Sequence, residues 1–234
     1  MAAHGLGLWN WPSLSGEKQF ISSCVKTDKE ITVFDVGANV GNYSTEIKNA
    51  CPNATIYAFE PHPKSFSKLS ALFSHAKHEK DKALNVGLGR RKEIAKLFDY
   101  QDYMEGGGSE HASLYSEVFQ GFQSSACEVN IITIDSFCAE NNIAQIELLK
   151  MDTEGNEFAI LEGAKRMLSG RRIKTIHFEF GDRNIYSRVF MRDFFKILPN
   201  YELYRMLPSG LLKLDYDPFF CEIFGYQNIA AFLK

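Results

Sequence analysis

The sequence predicts an α/β protein whose core is a doubly wound, mostly parallel sheet with helices on both faces. Three observations carry this expectation. Short β-branched apolar runs alternate with amphipathic segments along most of the 234 residues, and repeated β-α units of that kind build parallel sheets. The first run ends in a glycine-bearing turn that opens a helix, Asp35-Val-Gly37-Ala-Asn39-Val-Gly41. No repeat, low-complexity stretch or linker divides the chain, so one domain is expected over residues 1–234.

Residues 1–15, rich in Gly, Trp, Pro and Ser, read as an irregular lead-in. Within 1–30 a short helix follows, with Phe20, Ile21, Cys24 and Val25 on one face. Ile31–Val36 is an apolar run broken by Gly37, as a buried parallel strand requires. The spacing then gives a helix over 42–50, a strand over Thr55–Phe59, a helix over 63–78 and a third strand near Ala83–Val86. Residues 94–134 break the rhythm: Ala95–Tyr100 and Glu128–Thr133 read as strands flanking the polar loop Glu105-Gly-Gly-Gly-Ser-Glu-His111. A segment of that length suits an insertion serving as a substrate loop, or a surface loop without a role. The alternation resumes with a helix over 135–142, a strand over Ile146–Met151 and a helix over Glu157–Leu168 with Phe158, Leu161, Ala164 and Leu168 in a stripe. A strand over Thr175–Phe180, a helix over Phe190–Leu198 and strands over Tyr201–Leu207 and Phe219–Tyr226 complete the reading. The aromatic stripe Phe190, Phe194, Phe195 is read as core.

Composition narrows the function. An apolar share of 45% with 24% charged residues is that of a soluble globular chain. The net charge of −3 and pI near 6.1 lack the basic excess that gripping phosphate backbones requires, so no nucleic-acid partner is expected. The five cysteines are scattered, with no C-x-x-C pair, which argues for a reducing compartment. No leader peptide and no apolar run of about 18 residues is evident. A cytoplasmic protein without a membrane span is expected.

The glycine turn is the first candidate site. Gly37 permits a sharp turn after the strand, Gly41 permits close packing of the helix, and Glu60 follows at the end of the second strand. A carboxylate there accepts hydrogen bonds from ribose hydroxyls. Dinucleotide sites use G-x-G-x-x-G, whose middle glycine admits a pyrophosphate. Here Asn39 stands at that position, and no tyrosine has a lysine four residues on, as a short-chain dehydrogenase would need. S-adenosylmethionine carries no phosphate, and its carboxylate suits a helix N-terminus. The expected cofactor is therefore S-adenosyl-L-methionine, bound by Asp35, Gly37, Asn39, Gly41 and Glu60.

Six segments together, FDVGANVGNYS (34–44), FEPHP (59–63), NVGLG (85–89), TIDSF (133–137), LLKMDTEGNEFAILEGA (148–164) and HFEFGD (177–182), resemble the FkbM family of methyltransferases. Gly5–Gly7, Ser15–Phe20, Ala112–Leu114 and Asn228–Ala230 are similar to family features as well. The resemblance implies a class I, Rossmann-like fold and methyl transfer to oxygen, often a hydroxyl on a sugar or polyketide. It also implies that Pro61 and Gly87, within FEPHP and NVGLG, join the cofactor site.

The expected reaction centre lies where strands 146–151 and 175–180 end. Asp152, Glu154 and Glu157 cluster beside Gly155, and the next strand supplies His177, Glu179 and Asp182. A glutamate between Phe178 and Phe180 in a buried strand must be paired or functional. Asp152 and Glu179 are the expected catalytic residues, with Asp152 also a cofactor contact. Glu154 and Glu157 are read as caps of the following helix, and His177 as a hydrogen-bonded core histidine. Paired carboxylates also suit Mg²⁺ or Mn²⁺, so a divalent ion stays open with no ligands assigned. His75 and His78 have metal-like spacing but no third ligand, and are read as a solvated face. The expected function is O-methylation of a sugar, a glycan or another small hydroxylated acceptor. Tyr103, Tyr115, Phe119 and Phe122 are candidates to stack on a sugar face or to pack their own loop. The competing class is a non-catalytic nucleoside-binding module on the same fold.

Overall fold

The computed structural model describes residues 15–75, 79–102 and 111–234. The first fourteen residues, His78, Tyr103 and the stretch 105–110 lie outside them, and with them several expectations stated above.

Eight strands form one sheet in the order β10-β9-β11-β8-β7-β1-β2-β3. They are β1 (Ile31–Val36), β2 (Ala54–Phe59), β3 (Lys82–Leu84), β7 (Ile146–Met151), β8 (Ile173–Phe180), β9 (Tyr201–Leu207), β10 (Gly210–Leu214) and β11 (Gln227–Leu233). β3, β2, β1, β7 and β8 pair in parallel, while β11 runs antiparallel to both neighbours. β4 (Gly87–Leu88), β5 (Glu93–Tyr100) and β6 (Ser124–Ile132) make a second, three-stranded sheet. Within residues 94–134, β5 and β6 pair antiparallel, in register from Glu93↔Ile131 to Tyr100↔Ser124.

Both faces of the main sheet are covered. On β1, Val33 points to one layer with Ile47 and Leu69. Phe34 and Val36 point to the other, with Phe137, Ile160 and Phe194. A strand buried on both sides is mainly apolar, and β1 is so except at Thr32 and Asp35. Phe194 is fully buried and stacks on Phe178 with ring centroids 4.4 Å apart, a burial worth about 1.5–3 kcal/mol.

Four elements differ from expectation, each for a local reason. The helix expected over 157–168 is two helices, Glu157–Glu162 and Lys165–Ser169. The break sits at Gly163, where a Cβ would lie 2.1 Å from the Gly89 carbonyl oxygen. Asp135 then caps the second helix, its carboxylate accepting from the Arg166 and Met167 N–H groups at 2.8 and 3.0 Å.

The strand expected over 219–226 is replaced by a short helix, Pro218–Cys221, with the last strand further on at Gln227–Leu233. Asp217 accepts from Phe219 N–H at 2.8 Å and Pro218 occupies the first turn, a start signal that outweighed the aromatic run. The first helix, Glu17–Phe20, continues as a π-turn over Ile21–Val25, closed by Lys26 N–H to Ile21 O. The wider turn rotates Cys24 out to solvent while Phe20 and Ile21 stay buried. Gly41 packs against Leu69 and Leu72 of the helix Pro63–His75 rather than against its own strand.

The chain runs outward from β1 to β3 and then crosses back to β7, so strand order reverses between β1 and β7. Ligands in open α/β sheets sit in the crevice at the carboxyl ends of such a pair. Among the described residues no helix is long and apolar enough to cross a membrane.

Candidate active site

The crevice holds a cavity of about 620 Å³, within the range of small-molecule sites. Its floor is the turn after β1. Gly37 has φ +75°, and a Cβ there would lie 1.8 Å from the Asp152 carbonyl oxygen, so no larger residue fits. Asn39 also adopts a left-handed backbone, φ 48°, a region asparagine tolerates. That twist aims the Asn39 N–H at Glu60 Oε2, 2.8 Å away.

Glu60 Oε1 accepts in turn from His62 N–H at 2.7 Å. Burial pushes the Glu60 pKa up to about 7, against the pull of these two N–H groups. An ionised carboxylate offers about four lone-pair sites, so Glu60 keeps acceptor capacity toward the cavity that it lines. Pro61 and Gly87 line the same wall. Gly87 leaves room for Ile131, whose Cδ1 would meet a Cβ at 2.7 Å.

A polar row crosses three adjacent strands on one face. Asp35 of β1 stands opposite Lys150 of β7, and Lys150 opposite His177 of β8. The Lys150 ammonium lies 3.6 Å from Asp35 Oδ1, 3.3 Å from Asp152 Oδ2 and 5.2 Å from the Tyr43 ring centre. Burial works against its charge, yet Asp152, Asp35, Glu17 and Glu179 outweigh burial and hold its pKa above the ordinary lysine value. Ser44 Oγ donates to the other Asp35 oxygen at 2.7 Å.

His177 is sealed by Phe20, with Tyr43 OH 3.2 Å from Nδ1 and Asn228 Oδ1 3.1 Å from Nε2. Burial lowers its pKa to about 4, so it is neutral and structural at neutral pH. The N-terminal helix roofs this row: Glu17 lines the cavity and Gly16 packs on the Leu207 backbone.

At the far end, Asp152, Glu154 and Glu179 line the cavity with Tyr226. Tyr226 OH donates to Glu179 Oε1 at 2.6 Å. Burial and the nearby Asp152 and Glu154 raise the Glu179 pKa well above the carboxylate range, against this bond. Glu157 does serve the turn before its helix, accepting from Thr153 N–H, Thr153 Oγ1 and Gly155 N–H at 2.8, 2.9 and 3.3 Å. Glu154 is no cap. Its backbone is left-handed, φ 54°, and its carboxylate takes Arg183 Nε at 2.6 Å.

Among the described residues no three His, Cys, Asp or Glu side chains form a group fit for a metal ion. The carboxylates that would be needed are engaged by Lys150, Arg183 and Tyr226. The residues present do not fit a Mg²⁺ or Mn²⁺ centre, and no step is routed through one. From the 94–134 segment the cavity takes Leu97, His111, Ala112, Leu114 and Ile131. Phe119 is buried against Tyr100, and Phe122 is exposed at its edge. Neither lines the cavity, and neither does Tyr115.

All eight residues expected to hold the cofactor cluster at this crevice, six of them on the cavity wall; Asp35 stands behind it and Gly41 under the turn. Sequence reasoning missed Lys150, Glu17, Arg183 and Tyr226. A lysine inside the apolar run Ile146–Met151 was the available signal, because a charge in a strand buried on both faces must have partners.

A mostly parallel sheet in which β11 is inserted antiparallel between β8 and β9 and β10 pairs antiparallel at the edge, with a glycine turn and an acidic partner at its switch point, has the class I methyltransferase fold. The FkbM methyltransferase from Methylobacillus flagellatus KT shares it, with a TM-score of 0.56 at 12% identity over 90% of this chain. This chain spans 46% of that longer one. The model of the methyltransferase FkbM domain matches residues 35–206, and the chain belongs to that family of methyltransferases. Among curated proteins it is 25% identical over 210 residues to the 2-O-methyltransferase NoeI of Sinorhizobium fredii, covering 85% of this chain and 83% of NoeI. It is 27% identical over 177 residues to Methyltransferase 1 of Beauveria bassiana, covering 65% and 69% of the two.

Proposed function

We propose that this methyltransferase uses S-adenosyl-L-methionine to methylate a hydroxyl of a small, sugar-like acceptor in the cytoplasm. The single observation that carries the reading is the layout of one cavity. A ribose-accepting carboxylate, Glu60, lies at the β2 end, and the carboxylates Asp152 and Glu179 lie at the β7 and β8 ends. The relation to NoeI, a 2-O-methyltransferase, supports an oxygen acceptor. The acidic balance disfavours nucleic acid, and five free cysteines suit a reducing compartment.

Glu60 would take the ribose hydroxyls, with Asn39 N–H and His62 N–H holding its carboxylate in place. Gly37, Pro61 and Gly87 would give the adenosine room, and Asp152, steadied by Lys150, would face the amino-acid end. Asp35 and Gly41 would act from behind, through Lys150 and the turn. When bound, S-adenosyl-L-methionine supplies an electrophilic methyl on a sulfonium. Glu179 is the group that takes the acceptor hydroxyl proton: its raised pKa makes it a stronger base, and Tyr226 fixes its orientation. Holding the oxygen in line can supply about 7–11 kcal/mol of the barrier. Leu97, His111, Ala112, Leu114 and Ile131 of the 94–134 segment line the same cavity and would face the acceptor.

Calorimetry with S-adenosyl-L-methionine, its demethylated product and NAD tests the cofactor half. Tight NAD binding with no response to the other two would end the reading. The pH dependence sharpens the test. Ribose hydroxyls donate to an ionised Glu60, and its carboxyl in the free protein titrates near pH 7. Binding therefore favours the deprotonated form, so affinity should rise from pH 5 toward 7 and level off above, with protons released on binding. Glu60→Gln should weaken binding by about 1–3 kcal/mol and flatten this profile. An unchanged profile in the variant would remove Glu60 from the site.

A further inference from the structure

The roof of the first cavity carries a carboxylate that the fold leaves without a donor. Glu17 opens the helix Glu17–Phe20 and lines that cavity. Its backbone N–H donates to Ser15 Oγ at 3.3 Å, but among the described residues its carboxylate accepts no hydrogen bond. Its one ion-pair contact among them is His177 Nδ1, 3.9 Å away. That ring is neutral at neutral pH, because burial lowers its pKa to about 4, and its Nδ1 already meets Tyr43 OH. A quarter of the Glu17 side chain remains accessible, so a ligand in the cavity can reach it.

Most other carboxylates on this wall are answered from within the fold. Glu60 takes two backbone N–H groups, Glu179 takes the Tyr226 hydroxyl and Glu154 takes Arg183. Asp152 shares Lys150 with Asp35 behind it. Glu46 of the helix Asn42–Ala50 also lines the cavity and only adds negative charge. Burial pushes the Glu17 pKa up to about 7, against the pull of Lys150, and Asp152, Glu46 and Asp35 push it the same way as burial. The roof is thus short of one positive charge, and a carboxylate drawn out of water without a partner is unfavourable.

Position narrows what completes it. Glu17 lies over His177 of β8 and feels the charge of Asp152, which follows β7. Glu60 stands at the end of β2, three strands from β8 in the sheet. The two carboxylates are therefore separated across one cavity, as the ribose and the amino-acid end of one donor molecule are.

We propose that Glu17 binds the α-ammonium of the methyl donor, which makes the roof helix part of the cofactor site. An ammonium brings three N–H donors and a full positive charge, and Glu17 lacks both. A sulfonium brings charge without N–H, and an acceptor hydroxyl brings a donor without charge. The assignment rests on the S-adenosyl-L-methionine reading above and names the group that holds the donor's amino end.

The test titrates the full chain by calorimetry with the demethylated cofactor product and with the analogue of it that lacks only the α-amino group. Wild type should bind the product about tenfold or more tightly than the analogue, the scale of one hydrogen bond between charged groups. Glu17→Gln keeps the size of the side chain and removes its charge. It should weaken the product by about tenfold and the analogue hardly at all, so the preference largely disappears. Glu46→Gln removes a neighbouring charge and should keep most of the preference. Without ligand, Glu17→Gln should melt no lower than wild type, because the carboxylate supports no hydrogen bond within the fold.

A wild type indifferent to the amino group overturns the assignment, as does a Glu17→Gln variant that keeps the full preference. Equal weakening of both ligands with a lower melting temperature marks Glu17 as structural and also overturns it. A wild type that binds neither ligand fails the cofactor reading itself, whereas firm and equal binding of both fails the role of Glu17 alone.

Discussion

Lys150→Met is expected to destabilise the protein by about 3–5 kcal/mol, the scale for removing one partner from a buried ion pair. The ammonium lies between Asp35 and Asp152 and faces the Tyr43 ring. Asp35 is fully buried and its Oδ1 has no hydrogen bond to fall back on. Without the lysine, Asp35 keeps only Ser44 Oγ among the described side chains. Denaturant unfolding of the two proteins measures the difference. The double variant Lys150→Met with Asp35→Asn should recover part of the loss, because it removes the stranded charge as well. A loss below about 1 kcal/mol would mean that Lys150 does not neutralise the row.

The second large effect is on turnover. Glu179→Gln should lower kcat by about 10²–10⁴-fold, the usual contribution of a positioned acid or base, with little change in unfolding free energy. Asp152→Asn should also lower kcat, and should cost some stability because Lys150 loses one of its carboxylate partners. The two should differ in pH behaviour. Wild-type rate should climb with pH, because burial and the neighbouring Asp152 and Glu154 raise the Glu179 pKa and only its ionised form accepts a proton. Glu179→Gln should lose that climb, while Asp152→Asn should retain it at a lower level and shifted to lower pH, because one of the charges that raises the Glu179 pKa is gone. Near wild-type rates in both variants would move the reaction centre elsewhere.

Much of the fold was legible because period and punctuation agree. Ile31–Val36, Ile146–Met151 and the strand through Phe180 are mainly apolar runs ended by a glycine or an acidic turn, and the structure places them within a residue or two. What failed was decided by contacts distant in sequence. The split at Gly163 depends on Gly89 and on Asp135, far upstream. The last strand was misplaced because Phe219 and Phe220 look like strand residues yet stand exposed on a short helix. The buried run through Ile229, Ala230 and Ala231 carries the strand instead.

The same division holds at the site. Gly37 and Glu60 announce themselves by spacing. The role of Glu154 could not be read locally, because its partner, Arg183, arrives from another strand's end. Lys150 was visible as an anomaly, a cation in an apolar strand, but its partners on β1 appear only through the pairing register.

The roof over the polar row has a consequence for biosynthesis. The helix that begins at Glu17 leaves the ribosome well before its seat, Leu207 on β9, and before Tyr226. At about 5–20 residues per second the two are separated by roughly 10–40 s of translation. During that interval Phe20 lacks Phe232, against which its ring packs, and the nascent chain has a glycine turn but no closed chamber around it. Ligand cannot therefore assist the early stages of folding; it can only trap the finished product.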